Sequence, residues 1–152
     1  MSNPILNPTA VCQVAIVVRD LEQVAKNYAA VFGLPVPPVI ETGPASKTQI
    51  AYRGATTPGR AKLAFFNLGA VTLELIEPID GPSTWREVLD KNGPGLHHVA
   101  FKVPHARQTV QALEQLGATT VQTGDFHGGN YSYVDATQPL GTILELLEFD
   151  TP

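Results

Sequence analysis

Residues Val71 to Pro78 read VTLELIEP, and residues Thr142 to Phe149 read TILELLEF. In both stretches a glutamate stands between two leucines, a pattern typical of a β-strand whose two faces differ. A second pair of segments echoes in the same way, since Val11 to Val18 reads VCQVAIVV and Leu96 to Val103 reads LHHVAFKV. Each half of the chain therefore begins with one of these strands and closes with the other, which indicates one supersecondary unit used twice.

A helix is predicted after the first strand of each half. Asp20 is a favourable N-cap, and apolar residues then recur at helical spacing until Gly33. The second helix runs from Ala106 to Leu116 and stops at Gly117. The remaining elements predicted from the pattern are strands at Thr48–Tyr52, Ala61–Asn67 and Tyr131–Asp135, and a short helix at Thr84–Lys91. The sequence thus predicts an α+β fold of two tandem βαβββ modules.

The expected organisation is a single domain over residues 11–152, preceded by an N-terminal extension at residues 1–10. The first module spans about residues 11–79, a linker about residues 80–94, and the second module about residues 95–149. The segment Gly43 to Lys62, rich in Gly, Pro, Thr and Ala, makes the first module the longer one, and we expect it to shape the substrate site.

Because successive side chains of a strand point to opposite faces, each of the four echoed strands has an apolar face that should pack on the helices. The opposite faces carry one metal-capable group per strand: Gln13, Glu74, His98 and Glu145. A carboxylate within an apolar strand is costly unless it is paired or metal-bound. The alternative is a half-exposed sheet with both glutamates in solvent.

The same alternation assigns His97 and Cys12 to the apolar side, as a packed histidine and an inert core thiol. Other features have two interpretations each. The segment His127 to Tyr131 is either a loop at the substrate site or an ordinary Gly-rich turn. Trp85 packs at the linker or at a dimer contact. Three basic residues either meet an acidic substrate or are solvated surface charge: Arg53, Arg60 and Lys62.

Bulk properties exclude several classes of protein. The 152 residues carry a formal net charge of −4, which argues against a nucleic-acid partner. No apolar run approaches the ~20 residues that span a bilayer, and Met1 to Thr9 does not resemble a signal peptide. The single cysteine cannot form an internal disulfide. We expect a cytoplasmic protein that acts on a small molecule, without a membrane or nucleic-acid partner.

From about Val11 to Phe149 the sequence resembles the vicinal oxygen chelate superfamily, also called the glyoxalase/bleomycin-resistance fold. The segments Gly95–Val103, GLHHVAFKV, and Glu74–Pro78, ELIEP, are similar to methylmalonyl-CoA epimerases. The resemblance implies a cupped mixed sheet with helices on its outer face. It also implies one divalent ion (Zn, Ni, Co or Mn) held by a ligand set that resembles that of glyoxalase I: Gln13, Glu74, His98 and Glu145.

The expected activity is that of a metal-dependent isomerase or epimerase that abstracts a proton next to a carbonyl through a metal-stabilised enolate. Glu145 is the first-choice base and Glu74 the second. An acyl-CoA thioester such as methylmalonyl-CoA is the expected substrate, and we expect a homodimer, because a cupped sheet leaves apolar edges to cover.

Two alternatives stay open. One is a glyoxalase I-like lyase of the lactoylglutathione lyase type. It is weakened because no Arg lies within Val14 to Val18 and because Pro78 stands where an Asn is usual. The other is a non-catalytic small-molecule-binding or resistance protein of the same fold. A dioxygenase fits less well, since non-haem iron sites typically use two His and one carboxylate.

Overall fold

Ten strands of alternating polarity form one mixed, curled sheet in the computed structural model, which describes residues 3–152. The strands are β1 Val11–Val17, β2 Ile40–Glu41, β3 Ala51–Tyr52, β4 Ala55–Thr56, β5 Arg60–Asn67, β6 Thr72–Asp80, β7 Gly95–Lys102, β8 Thr119–Phe126, β9 Gly129–Ala136 and β10 Thr142–Phe149. The helices are α1 Leu21–Phe32, α2 Ala45–Thr48, α3 Thr84–Asn92, α4 Ala106–Glu114 and α5 Thr137–Leu140, and one 3₁₀ turn covers Pro8–Ala10. The predicted fold class is confirmed, whereas the division into extension, modules and linker stays a prediction.

The strands lie in the order β2-β5-β6-β1-β7-β10-β9-β8-β3-β4. The two opening strands, β1 and β7, are antiparallel neighbours at the centre of the sheet. Each of them pairs in parallel with the closing strand of its own half, β1 with β6 and β7 with β10. The four strands that carry the echoed sequences are therefore adjacent in space.

The helices α1 and α4 begin at equivalent carboxylates. Glu77 accepts a hydrogen bond from the backbone N–H of Leu21, the first residue of α1, at 2.9 Å. Glu148 accepts one from the backbone N–H of Ala106, the first residue of α4, at 2.8 Å. This is the role of the second glutamate in the repeated ELIE and ELLE segments, and it offsets the unpaired N–H groups of a helix start. Asp20 caps α1 as predicted, and Gly33 ends it in the left-handed region.

Both of these helices cover the outer face of the sheet, as expected. Around α1 the core contains Val18, Leu21, Ala25, Ala29, Ala64, Phe66, Leu73 and Leu75. Around α4 it contains Val103, Ala106, Leu113, Ala118, Val134, Ala136, Leu144 and Leu146. Leu75 and Leu146 are fully buried at equivalent places, so the apolar side of the alternation is confirmed.

The helix α3, by contrast, packs on the inner face of the sheet. Its residues Trp85 and Leu89 are buried in a third core together with Val17, Ile76 and Ile143. Val17 lies at the C-terminal end of β1, Ile76 in the middle of β6 and Ile143 near the N-terminal end of β10. The linker helix therefore packs at one end of the cup. No helix among residues 3–152 combines the length and apolarity that crossing a membrane requires.

The segment Gly43 to Lys62 differs from its prediction. Thr48 belongs to the short helix α2, and only Ala51–Tyr52 forms a strand where Thr48–Tyr52 was expected. Two residues adopt positive φ angles around this strand, Gln49 at 51° and Arg53 at 50°, which interrupts a longer extended run. The strand β3 pairs with β8 of the other half. The segment thus crosses from one half of the sheet to the other, and its Ile50 joins the inner core.

Candidate metal centre

The sheet register brings the four predicted side chains onto one face. Ala15 of β1 lies between Glu74 of β6 and His98 of β7. Ala100 of β7 lies between Gln13 of β1 and Glu145 of β10. Residues paired across strands share a face of the sheet, so the four polar side chains surround two fully buried alanines. The small alanine side chains leave room above them for the polar groups to converge.

The polar atoms of these side chains meet at one point. His98 Nε2 lies 2.8 Å from Glu145 Oε2 and 3.1 Å from Gln13 Oε1. Glu74, His98 and Glu145 each offer a ligand atom within 4.8 Å of the others. Ligand atoms about 2.1 Å from a shared ion lie up to about 4.2 Å apart, so small side-chain rotations would let all of them reach one ion.

The residues present fit a divalent cation. Glu145 Oε2 is buried and accepts no hydrogen bond of normal geometry among residues 3–152, although His98 Nε2 lies 2.8 Å from it. Glu74 and Glu145 are 5% and 4% exposed, so both carboxyls are withdrawn from water. One imidazole nitrogen and three oxygen ligands are suitable for Zn, Ni, Co or Mn. Structural zinc clusters, by contrast, use cysteine thiolates.

Burial shifts the pKa values of all three ionisable groups toward their neutral forms. It raises the pKa of Glu145 to about 8 and lowers that of His98 to about 3. Burial, together with the neighbouring Glu145, raises the pKa of Glu74 well above its usual value. Ionised carboxylates at this place need a nearby positive charge, and a bound cation would provide it.

Two β-bulges flank the centre, and they correct two predictions. Between β1 and β7 the register slips at Cys12 on one strand and at His97 on the other. Each bulge residue directly precedes a predicted ligand, Gln13 or His98, and a bulge turns its side chain away from simple alternation. The prediction that His97 and Cys12 face the apolar, helix-covered side is therefore wrong.

The two bulge residues have different surroundings. His97 is 2% exposed, and its Nδ1 lies 2.8 Å from Nδ1 of His98. Burial and the neighbouring His98 hold the pKa of His97 well below its usual value. Cys12 is half-buried, lines a cavity beside Gln13, and its Sγ lies 3.6 Å from the carbonyl oxygen of Ala100. It is therefore not a core thiol.

Aromatic and amide side chains from β8 and β9 line the centre, and the sequence pattern does not indicate them. The ring of Tyr133 lies 4.9 Å from that of His98, and its hydroxyl accepts a hydrogen bond from Trp85 Nε1 at 3.0 Å. Gln122 Nε2 donates to the hydroxyl of Tyr131 at 3.1 Å. Alternation within the predicted strand Tyr131–Asp135 already put both tyrosines on one face. Only the pairing with β10 shows that this face is the inner one.

A family model described as the glyoxalase/bleomycin resistance protein/dioxygenase superfamily matches residues 12–134. The chain belongs to this superfamily. The predicted resemblance is thus confirmed. The uncharacterized protein YqjC of Bacillus subtilis (strain 168) is 33% identical over 92 residues, which make up 59% of this chain and 66% of that protein. The match therefore spans slightly less than two thirds of the length of this relative.

Solved structures share the fold of this chain at low sequence identity. The methylmalonyl-CoA epimerase from Mycobacterium tuberculosis superposes with a TM-score of 0.64 at 20% identity, covering 99% of this chain and 93% of that one. A Streptomyces coelicolor methylmalonyl-CoA epimerase variant in complex with 2-nitronate-propionyl-CoA gives a TM-score of 0.62 at 19% identity, covering 93% and 98%. At this identity the likeness shows the fold.

One end of the cup formed by the curled sheet is open. A cavity of about 510 Å³ is lined by Gln13, Thr72 and Leu147 of the inner face, with Phe65 and Phe149 at its sides. Lys102 also lines it, and its ammonium lies 5.5 Å from the ring centroid of Phe149. Among the described residues that line this cavity, Lys102 carries the only positive charge. The opposite end contains α3 and its core, and a second cavity of about 500 Å³ lies there between α3 and His97.

The other sequence features lie outside the centre. The predicted loop at His127 to Tyr131 is a two-residue turn, because β9 already starts at Gly129. Trp85 is 3% exposed inside the cup. The three basic residues form ion pairs with carboxylates of this chain: Arg53 with Glu87, Arg60 with Asp80 and Glu41, and Lys62 with Glu22 and Glu77. These contacts support the interpretation as surface charge.

Proposed function

We propose that this chain is a metal-dependent isomerase or epimerase that removes a proton next to a carbonyl group and returns it through an enolate. The observation that carries the proposal is the convergence of two buried carboxyls, Glu74 and Glu145, with His98 and Gln13 on the inner face of the cup. Burying two carboxylates this close together lowers stability unless a cation or a partner group compensates their charge. A bound divalent ion would supply Lewis-acid stabilisation of the negative charge that develops on the substrate oxygen.

Each side chain has a distinct proposed role. Glu145 is the base, since its Oε2 accepts no hydrogen bond of normal geometry among the described residues and lies 2.8 Å from His98 Nε2. Glu74 comes from the other side of β1 and β7, so it is placed to deliver a proton to the opposite face of an enolate. One carboxyl for each face would permit epimerisation. His98 and Gln13 hold the ion, because a buried imidazole of low pKa and an amide are poor bases here.

An acidic acyl-CoA thioester is the proposed substrate class. The cavity beside Gln13 reaches the centre from outside, and Lys102 places a positive charge at it. Such a charge favours a substrate that carries a carboxylate or phosphate. The solved neighbours of this fold include methylmalonyl-CoA epimerases, one of them in complex with 2-nitronate-propionyl-CoA. These neighbours support the acyl-CoA class as the first to test.

Deuterium exchange tests the proposal directly. Purified protein loaded with Zn, Ni, Co or Mn is incubated in D₂O with a panel of acyl-CoA thioesters and hemithioacetals, and exchange next to the carbonyl is followed by NMR. We expect exchange into at least one acyl-CoA, lost by at least about 100-fold in Glu145→Gln. Glu148→Gln is the matched control, because Glu148 lies on the same strand but caps α4.

The outcomes separate the alternatives. Exchange confined to hemithioacetals would support the glyoxalase I-like lyase in place of the epimerase. A chain that takes up no divalent ion and exchanges neither class would contradict an enzyme and support a binding protein. The predicted homodimer is a separate proposal, which light scattering of the purified protein tests.

A further inference from the structure

His97 and His98 are in contact through the same ring atom. Their Nδ1 atoms lie 2.8 Å apart, their ring centroids 5.0 Å apart, and the ring planes are nearly perpendicular at 83°. A neutral imidazole has one donor nitrogen and one acceptor nitrogen. The contact is therefore a hydrogen bond in which one Nδ1–H donates to the other Nδ1.

The direction of this hydrogen bond follows from the other side of His98. Its Nε2 points at the centre, where Gln13 Oε1 and Glu145 Oε2 lie at 3.1 and 2.8 Å. Without an ion these two oxygens would favour a proton on Nε2, whereas a nitrogen that holds a metal ion carries no proton. With an ion bound, the single proton of the neutral His98 ring is on Nδ1, which makes His98 Nδ1–H the donor and His97 Nδ1 the acceptor. The proton of His97 is then on its Nε2, a buried atom without a hydrogen-bond partner among the described residues.

We infer that His97 is a positioning residue of the metal centre, which accepts the hydrogen bond of His98 Nδ1–H and so holds His98 Nε2 toward the ion. The inference rests on the proposed function, since it presupposes a metal at this place. Ligating histidines generally donate their second N–H to an outer partner, which fixes the tautomer and the ring orientation. In this chain the outer partner is a second imidazole, that of His97.

The backbone and the packing support this assignment over a merely packed histidine. Simple alternation would leave His97 among the apolar side chains of the outer face, and only the bulge brings it beside His98. The ring of Tyr133 contacts both imidazoles, at 5.1 Å from His97 and 4.9 Å from His98. Tyr133 is in turn held by Trp85 Nε1. The hydrogen bond is thus enclosed in a rigid aromatic frame.

Two nearly isosteric variants isolate the hydrogen bond. In His97→Asn the amide oxygen stands close to the position of the lost Nδ1 and still accepts a hydrogen bond. In His97→Leu the side chain has a similar shape but accepts none. Both variants remove the ring that packs against Tyr133, and they differ in the presence of a hydrogen-bond acceptor.

The measurement is the zinc dissociation constant, obtained by competition with a chelator at pH 7.5 on protein whose folding is checked by circular dichroism. We expect His97→Leu to bind zinc about 10- to 100-fold more weakly than the natural chain, which is the usual cost of losing an outer partner. His97→Asn should stay within about 3-fold of it. Equal dissociation constants for the two variants would overturn the positioning role.

The natural chain gives a second readout that does not depend on either variant folding. In ¹⁵N-histidine NMR of the zinc-loaded protein, we expect Nδ1 of His98 to carry a slowly exchanging proton and Nδ1 of His97 to carry none. The opposite pattern with zinc bound would refute the inference while leaving the metal centre intact. Failure of the natural chain to bind zinc, nickel, cobalt or manganese would overturn both proposals.

Discussion

Loading the metal-free chain with zinc at pH 7 should release about one proton from Glu145 and a further contribution from Glu74. Burial raises the pKa of Glu145 to about 8, so at pH 7 about 0.9 of this carboxyl is protonated before the ion binds. The pKa of Glu74 is also raised well above its usual value, by burial and by Glu145, so this carboxyl adds to the release. His98 contributes none, since its pKa of about 3 leaves it neutral at pH 7.

Isothermal titration calorimetry measures this release. Zinc is titrated at one pH into the protein in two buffers whose ionisation enthalpies differ, and the slope of the observed enthalpy against ionisation enthalpy gives the protons released. Glu145→Gln should lower the slope by about one, because the amide has no proton to give up. At pH 9 the contribution of Glu145 should shrink to about 0.1. A slope near zero at pH 7 in the natural chain would contradict a centre whose carboxyls have raised pKa values.

Two further predictions concern stability. Without metal, the free energy of unfolding should fall by about 2 kcal/mol between pH 6.5 and 8, because Glu145 is protonated up to pH about 8 in the folded chain but only to about 4.5 when unfolded. His97 and His98, whose pKa values burial lowers, act in the opposite direction, mainly below about pH 6.5. Thermal melts between pH 6.5 and 8 test the fall, and a rise would contradict it. Gly59→Ala should destabilise the chain by about 1–3 kcal/mol in urea unfolding, because its Cβ would overlap the carbonyl oxygen of Pro82. Gly43→Ala is the control, with its nearest contact at 3.6 Å, and an equal effect of both would argue against the overlap.

Much of the fold and the choice of four polar side chains could be predicted because both depend on local pattern. Alternation in four short strands decides which side chains share a face, and the caps at Asp20 and Gly33 decide where α1 begins and ends. The pairing of strands then puts Ala15 and Ala100 between the four polar residues, and the sequence of a single strand does not contain this information. That the four side chains bind a metal stays a prediction.

The bulges could not be predicted, for a physical reason. A bulge inserts one extra residue into the pairing of two strands. It depends on both strands, so the alternation of polar and apolar residues in one strand does not reveal it. Cys12 and His97 were therefore assigned to the wrong face. The long-range pairing of β3 with β8 was missed for a related reason, since a two-residue strand carries almost no periodic signal.

The two bulges also explain how a duplicated fold can acquire a single, directional site. Cys12 and His97 occupy equivalent positions across the antiparallel pair β1 and β7, so two identical modules would leave both ends of the cup alike. The linker helix α3 breaks this equivalence, because Trp85 and Leu89 pack at the end at which His97 lies. Cys12 stays at the open end, beside Gln13 and the cavity. The cavity beside Gln13 therefore adjoins the centre from the Cys12 side, whereas a second cavity of about 500 Å³, lined by α3 and His97, lies at the other end.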